Sequence, residues 1–312
     1  MDGKLSVVIP CYNAENNIKN VIKKDIEIFE NLGICDYEFV LVNDCSKDST
    51  WSVIKELASV NPRITSINLA KNCGQHSAIM AGFHYVSGDY AVVSDDDGQT
   101  QMEMIGVLLD KMSEGYDIVT TKWTKESKKS LIRSMGSKLN DKMNEWLLGE
   151  PKDVVMSIFF AAKKFIIDEI IKYDNPYPYL IGLLLRTSHN IGTVEVEQLE
   201  RQSGTSGYSY RKLIALWLNG FTAFSIVPLR VASYIGVFSA AVGFIYGLII
   251  IIRKILFDNI ATGWGSTLSV MLFMFGITLC VLGMIGEYIG RIYICINNTP
   301  QYVIKDIEIK RE

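Results

Sequence analysis

The sequence predicts an α/β domain on a mostly parallel sheet, followed by a surface helix and two membrane-spanning helices. Three observations carry this. Short apolar runs alternate with amphipathic stretches five times between Leu5 and Thr121, the pattern of a parallel sheet covered by helices on both faces. The turns that leave those runs are unusually polar. Two stretches near the C-terminus, 231–252 and 259–286, hold 22 and 28 residues without a charge. At about 1.5 Å per residue the shorter reaches about 33 Å, enough to cross a hydrocarbon core of about 30 Å.

Leu5–Ile9 reads as a buried strand stopped by Pro10. Residues 14–30 have helical periodicity, with Ile18, Val21, Ile22, Ile26 and Phe29 on one stripe. Tyr37–Val42 is the second strand, and 49–58 a helix capped near Asp48 or Ser49. Ile64–Leu69 is a third strand and 75–85 a third helix. Tyr90–Val93 is a fourth strand, 101–112 a fourth helix and 117–121 a fifth strand.

Composition narrows the function. Hydrophobic residues make up 49% and charged residues 21% of the 312, and mean hydropathy is +0.19, which fits a membrane protein with a large water-exposed front part. The net charge of −3 lacks the basic excess of a nucleic-acid binder. Six cysteines form no C-x-x-C pair and no Cys/His cluster, so zinc and a disulfide framework lack support and a reducing compartment fits better. The first apolar run is too short for a signal peptide. An N-terminus on the cytosolic side is therefore expected.

In parallel sheets, ligands bind beyond the carboxyl ends of the strands. The loops there are 10–15, 43–48, 72–76 and 95–99. None is a G-x-G-x-x-G or Walker loop, which disfavours NAD enzymes and P-loop ATPases. Asp95-Asp96-Asp97-Gly98 carries the strongest chemical signal. Adjacent carboxylates repel and gain from a cation. Asp95 and Asp97, two apart in an extended segment, point the same way and suit a hard divalent ion that bridges a diphosphate. A solvated acidic turn is the competing reading. An EF-hand fails on spacing, since Val93 and Met104 would be its first and twelfth residues.

V-V-I-P-C-Y-N-A-E at 7–15, V-N-D-C-S-K-D-S-T at 42–50, N-C-G-Q-H at 72–76 and D-D-D-G-Q at 95–99 resemble, in order and spacing, family 2 glycosyltransferases of the GT-A fold. Phe224-Ser225, Pro228-Leu229-Arg230, G-W-G-S at 263–266, G-E-Y-I-G-R at 286–291 and P-Q-Y at 300–302 extend the resemblance to the polyprenyl-phosphate sugar transferases. That branch includes bactoprenol glucosyltransferases and dolichyl-phosphate mannose synthase. The likeness spans essentially the whole chain.

The resemblance implies roles. Pro10, Tyr12, Asn13, Glu15, Asp44 and Gln75 fall at donor-nucleotide positions, with Asp44 reading the base. Asn43 and Cys45 depart from the family's Asp and Gly. Asp95, Asp96, Asp97 and Arg201 are the catalytic candidates, with Arg201 facing the diphosphate. Asp97 and Gln99 would hold Mg²⁺ or Mn²⁺, and Gly98 replaces a common Leu. Lys122, Arg133 and Ser137 would receive the lipid phosphate. Arg133 and Ser137 are four apart and would share one helix face. Six Lys or Arg lie in 122–138, and simple solvation is the alternative for them.

The resemblance also implies an activity: inverting transfer of one sugar from a nucleoside diphosphate sugar, with UDP favoured, to polyprenyl (undecaprenyl) phosphate. The implied setting is the cytosolic face of a bacterial inner membrane, in a multi-pass homo-oligomer, a tetramer being one form. The implied partition is 1–210 catalytic, 211–230 juxtamembrane with Trp217 near the headgroups, spans at 231–252 and 267–286, and a cytosolic tail at 287–312. Two rivals remain. A processive synthase would fit Q-x-x-R at 198–201, but Gln202 stands where its Trp belongs. A non-catalytic nucleotide-binding scaffold would not need the acids at 95–97. A lipid flippase would not need the nucleotide loops.

Overall fold

A computed structural model describes residues 3–98, 102–123, 156–176, 178–196, 227–256, 263–297 and 299–309. The chain divides into two compact units, residues 1–208 with 298–312, and residues 209–297. In chain order the first unit contains β1 (Leu5–Cys11), α1 (Ile18–Leu32), β2 (Tyr37–Asn43), α2 (Thr50–Val60), β3 (Ile64–Leu69), α3 (Gln75–Phe83), β4 (Tyr90–Val93), a 3₁₀ turn (Met102–Met104), α4 (Ile105–Ser113) and β5 (Ile118–Trp123). Then come β6 (Phe160–Lys163), α5 (Lys164–Ile170), α6 (Leu180–Thr187), β7 (Ile191–Val196) and, after the second unit, β8 (Ile304–Ile309).

The strands form one sheet in the order β7-β5-β6-β4-β1-β2-β3-β8. All neighbouring pairs are parallel except those made by β6 and β8. The carboxyl ends of β1 to β5 and β7 therefore lie along one edge. β1 is buried throughout. α3 lies flush on β1 and β2, because a Cβ on Gly82 would sit 2.5 Å from Val8 Cγ1 and 3.1 Å from Val42 Cγ2. α1 buries Ile18, Val21, Ile22, Ile28 and Phe29, and the Phe29 ring stacks 5.7 Å from Phe39. It ends at Gly33, whose φ of 69° is the left-handed conformation of a helix stop.

Several sequence expectations need correction. Pro10 does not stop the first strand, which runs through it to Cys11. Even-numbered β1 residues face β4, as shown by Ser94 N–H bonding to Val8 O. The last β1–β4 pair is Val8 with Val93, so the N–H that proline lacks would have met no strand. α1 starts at Ile18 rather than near Ala14. The N–H groups of Ala14 and Glu15 donate instead to Thr50 Oγ1 and Asp48 Oδ2, which holds the segment as a loop. The stretch 287–312 is not a separate tail. The helix of the second unit runs on to Ile296, and residues 304–309 supply β8, antiparallel to β3.

The second unit contains α7 (Val227–Leu256) and α8 (Trp264–Ile296). Among the described residues one helix, α8, holds a window long and apolar enough to cross a membrane, Phe273–Gly290, with mean hydropathy 1.7 and none of it buried. Large apolar side chains face outward on both helices, including Tyr234, Val237 and Phe238 on α7 and Phe273, Phe275 and Leu279 on α8. Such outward apolar surface marks contact with lipid or protein. Of the expected juxtamembrane segment, 211–226 lies outside the described residues, and 227–230 form the first turn of α7.

Candidate active site

Four loops meet at the carboxyl edge of the sheet: 12–17 after β1, 44–49 after β2, 70–74 after β3 and 94–98 after β4. Hydrogen bonds close them into a ring. The first and second loops are joined by Asn13 N–H to Ser46 Oγ at 3.0 Å and Lys47 N–H to Asn13 Oδ1 at 3.0 Å. Ser49 N–H to Glu15 Oε2 at 2.8 Å adds a third link. Asp44 joins the second loop to the third. Its two carboxylate oxygens accept the N–H groups of Cys73 at 2.7 Å and Gly74 at 2.9 Å. Gln75 Nε2 donates to Asp95 Oδ1 at 3.0 Å, and Tyr12 N–H donates to Asp96 Oδ2 at 2.8 Å. The acidic loop is thus tied to both the third and the first.

These contacts show what several predicted donor residues do. The Glu15 carboxylate takes the Ser49 N–H immediately before α2, where a negative charge also suits the helix dipole. Asn13 and Asp44 brace loops against one another. Burial raises the Asp44 carboxyl above its usual range, and its two backbone bonds pull it back part of the way. Pro10 is buried in β1. Tyr12 is different: the residue is 46% exposed on the rim of the ring.

The acidic run is not extended. The chain turns at Asp96–Asp97, and Gly98 has φ 71°, a conformation that explains glycine here. Strand alternation is therefore not what would bring Asp95 and Asp97 together. Asp95 is half-buried and Asp97 exposed. Asp96 turns inward to Tyr12. Burial pushes its carboxyl up to about 6, the Tyr12 N–H opposes this, and the charges of Asp95 and Asp97 add to it.

Among the described residues, no three His, Cys, Asp or Glu side chains form a group able to hold a metal. A magnesium-like ion needs less, because one or two carboxylates and the substrate's own phosphates commonly suffice. The exposed Asp97 beside Asp95 fits an ion that arrives with a diphosphate. Lys122 lies on the same edge, near the end of β5, and pairs in register with Glu195 of β7. Gln99, Arg133, Ser137 and Arg201 lie outside the described residues.

Two features escape the sequence reading. Cys45 has φ 53°, so the family's Gly at that position answers a backbone requirement. His76, in the first turn of α3, packs edge-on against Tyr179, 5.8 Å between centroids. Burial lowers it to about 4, so its imidazole is neutral. Its Nδ1 is buried with no hydrogen-bond partner among the described residues.

Residues 6–171 match the profile of Glycosyl transferase family 2, and residues 227–292 match the GtrB C-terminal hairpin. The chain is 35% identical over 309 residues to the SfII prophage-derived bactoprenol glucosyl transferase of Shigella flexneri, covering 97% of each chain. It is 33% identical over 308 residues to the undecaprenyl-phosphate 4-deoxy-4-formamido-L-arabinose transferase of Proteus mirabilis, covering 98% of this chain and 94% of that one. The solved glucosyl-3-phosphoglycerate synthase of Mycobacterium tuberculosis, in complex with Mn²⁺, UDP-glucose and phosphoglyceric acid, matches with TM-score 0.53 and 18% identity. That match covers 71% of this chain and 78% of the other, a likeness of fold.

Proposed function

The chain belongs to glycosyl transferase family 2, and on that premise we propose that it transfers a single sugar from a nucleoside diphosphate sugar to a polyprenyl phosphate at the cytosolic face of a bacterial inner membrane. The observation that carries this reading is likeness across the full length to transferases named for bactoprenol and undecaprenyl phosphate. The closed ring of loops and the outward apolar surface of α7 and α8 support it. UDP is the favoured nucleotide. Both helices are assigned to the membrane. α7 is 30 residues long and carries the charge-free stretch 231–252, while α8 carries the apolar window Phe273–Gly290. Self-association through these helices belongs to the same proposal.

In this reading the loops grip the nucleotide, with Tyr12 at the rim and Asp44 setting the third loop. Asp95, Asp97 and Gln99 would hold Mg²⁺ or Mn²⁺. The ion would supply charge stabilisation at the diphosphate. Arg201 would add a second positive group there. The acceptor is a phosphate monoester with a second pKa of about 6, mostly dianionic at pH 7. It needs less help from a base than a hydroxyl would. Lys122, Arg133 and Ser137 would place one of its oxygens in line with the anomeric carbon. That carbon–oxygen bond forms as the bond to the leaving diphosphate breaks, and the centre inverts. Positioning and electrostatics supply the acceleration. Asp96, turned toward Tyr12, sets the relation of two loops.

The test is a panel of radiolabelled UDP- and GDP-sugars incubated with membranes and undecaprenyl phosphate. One label should enter the lipid phase, and only when the lipid phosphate is present. Label entering without it would reject the acceptor assignment.

A further inference from the structure

We propose that Asp306, on the last strand, is a positioning residue whose carboxylate sets the direction of a hydrogen-bond relay into the donor loops. The inference rests on the donor-site reading above. β2, β3 and β8 are neighbours, and their register places Asn43 beside Asn68 and Asn68 beside Asp306. The three side chains form one row across three strands. Asn68 Nδ2 donates to Asp306 Oδ2 at 3.1 Å, and Asn43 Nδ2 donates to Asn68 Oδ1 at 2.8 Å. Ser46 N–H donates to Asn43 Oδ1 at 3.2 Å, and Asn13 N–H to Ser46 Oγ at 3.0 Å. The row thus begins on the strand that follows α8 in the chain and ends at two of the four loops of the site.

A side-chain amide fits a hydrogen-bonded row either way round unless its ends decide. Here both ends do. A carboxylate only accepts, so Asp306 turns the Asn68 amide nitrogen toward itself and leaves Oδ1 facing Asn43. A backbone N–H only donates, so Ser46 requires the Asn43 oxygen. The two constraints agree, and the row has one consistent direction. Asn43 is 2% and Asn68 7% exposed, whereas Asp306 is exposed on the edge strand, so the Asn43–Asn68 bond is the part of the row that water replaces poorly. A register shift between Asn68 and Leu69 sits where the row leaves β3, and such irregularities re-aim side chains.

The far end of the row is where stiffness matters. Asn13 and Cys45 have left-handed backbones, φ 55° and 53°. Conformations of this kind persist when their surroundings hold them. Ser46 follows Cys45 directly, and Asn13 is the next member of the row. Removing the carboxylate leaves the Asn68 Nδ2 without its acceptor, so one end of the row is no longer held and Ser46 alone sets its direction. The loss would then be felt as a looser donor cradle. Docking of β8 itself depends on other contacts: main-chain pairing with β3 and the Lys55–Glu308 ion pair at 3.7 Å.

The test titrates UDP and GDP, each with Mg²⁺, into the full-length chain in detergent by calorimetry. Asp306→Ala should bind whichever nucleotide the wild type binds about 10-fold more weakly. Asp306→Asn, whose Oδ1 accepts the same bond, should restore binding to within about threefold. Glu308→Ala should bind like wild type, and the KM for undecaprenyl phosphate should not move in Asp306→Ala. Should Asp306→Ala melt early, Asn68→Ala breaks the same row from within the sheet and should show the same donor-specific loss. Normal donor binding in Asp306→Ala and Asn68→Ala would overturn the relay. So would an equal loss in Asp306→Asn and Glu308→Ala, which would assign the effect to strand docking. Wild-type protein that binds neither nucleotide would overturn the donor reading itself, and the relay with it.

Discussion

Asp25→Asn should flatten the dependence of stability on pH. Asp25 is 4% exposed on the core face of α1, and its Oδ2 has no hydrogen-bond partner among the described residues. Burial pushes its carboxyl from 3.8 to about 7, with Lys24 opposing and Glu103 adding to the shift. Those two side chains pair with each other at 2.7 Å across the surface. Between about pH 4 and 7 the folded chain holds a proton that the unfolded chain has released. Stability therefore falls as pH rises through that window. At about 1.36 kcal/mol per pKa unit, the penalty is about 2 kcal/mol at pH 5 and about 4 kcal/mol at pH 8. Asparagine does not titrate, so it removes the difference of about 2–3 kcal/mol, or about 5–10 °C in melting temperature for a unit of this size. Its own buried amide adds a cost independent of pH, so the slope is diagnostic and the absolute value is not. The assay is thermal melting of wild type and variant in detergent at pH 5, 6, 7 and 8. The gap should shift in favour of the variant as pH rises. A constant gap would exclude a raised carboxyl at Asp25.

Other expectations concern the site. Asp97→Asn should lose most transfer activity while still folding, and EDTA should do the same to wild type, because an amide balances a cation poorly; normal turnover in either case rejects the metal role. Asp44→Asn replaces one of two acceptors with a donor that faces a backbone N–H, and should raise the donor KM by about 10-fold, read in steady-state kinetics at saturating lipid. Cys45→Gly relieves a left-handed backbone and should stabilise the fold by about 1 kcal/mol, measured by melting. Arg133→Ala should weaken use of the lipid and leave donor affinity alone, whereas Arg201→Ala should do the reverse, separated by KM values for the two substrates.

Alternation of apolar runs and amphipathic stretches was enough to place β1 to β5 and the helices between them, because buried parallel strands and their cover have strong, different periods. The other strands escaped for specific reasons. β6 is only four residues long and runs antiparallel between β4 and β5. β8 pairs with β3 across more than two hundred residues, although Ile307 and Ile309 alternate with charged neighbours and carried a usable signal. Pro10 misled because its effect depends on which neighbour its N–H would face. At the site, residue types and spacings located the loops. They could not say which atoms are used between loops. Glu15, Asn13, Asp44 and Asp96 make that plain, since each ties one loop to another through contacts that only the assembled sheet creates.

In the proposed reaction one sugar goes onto one polyprenyl phosphate. Mass spectrometry of the lipid formed by purified protein, nucleotide sugar, Mg²⁺ and undecaprenyl phosphate tests it most directly. A single new species should form, heavier than the acceptor by one glycosyl residue, and it should not grow with time. A ladder of additions, or a sugar product that lacks the lipid phosphate, would contradict it.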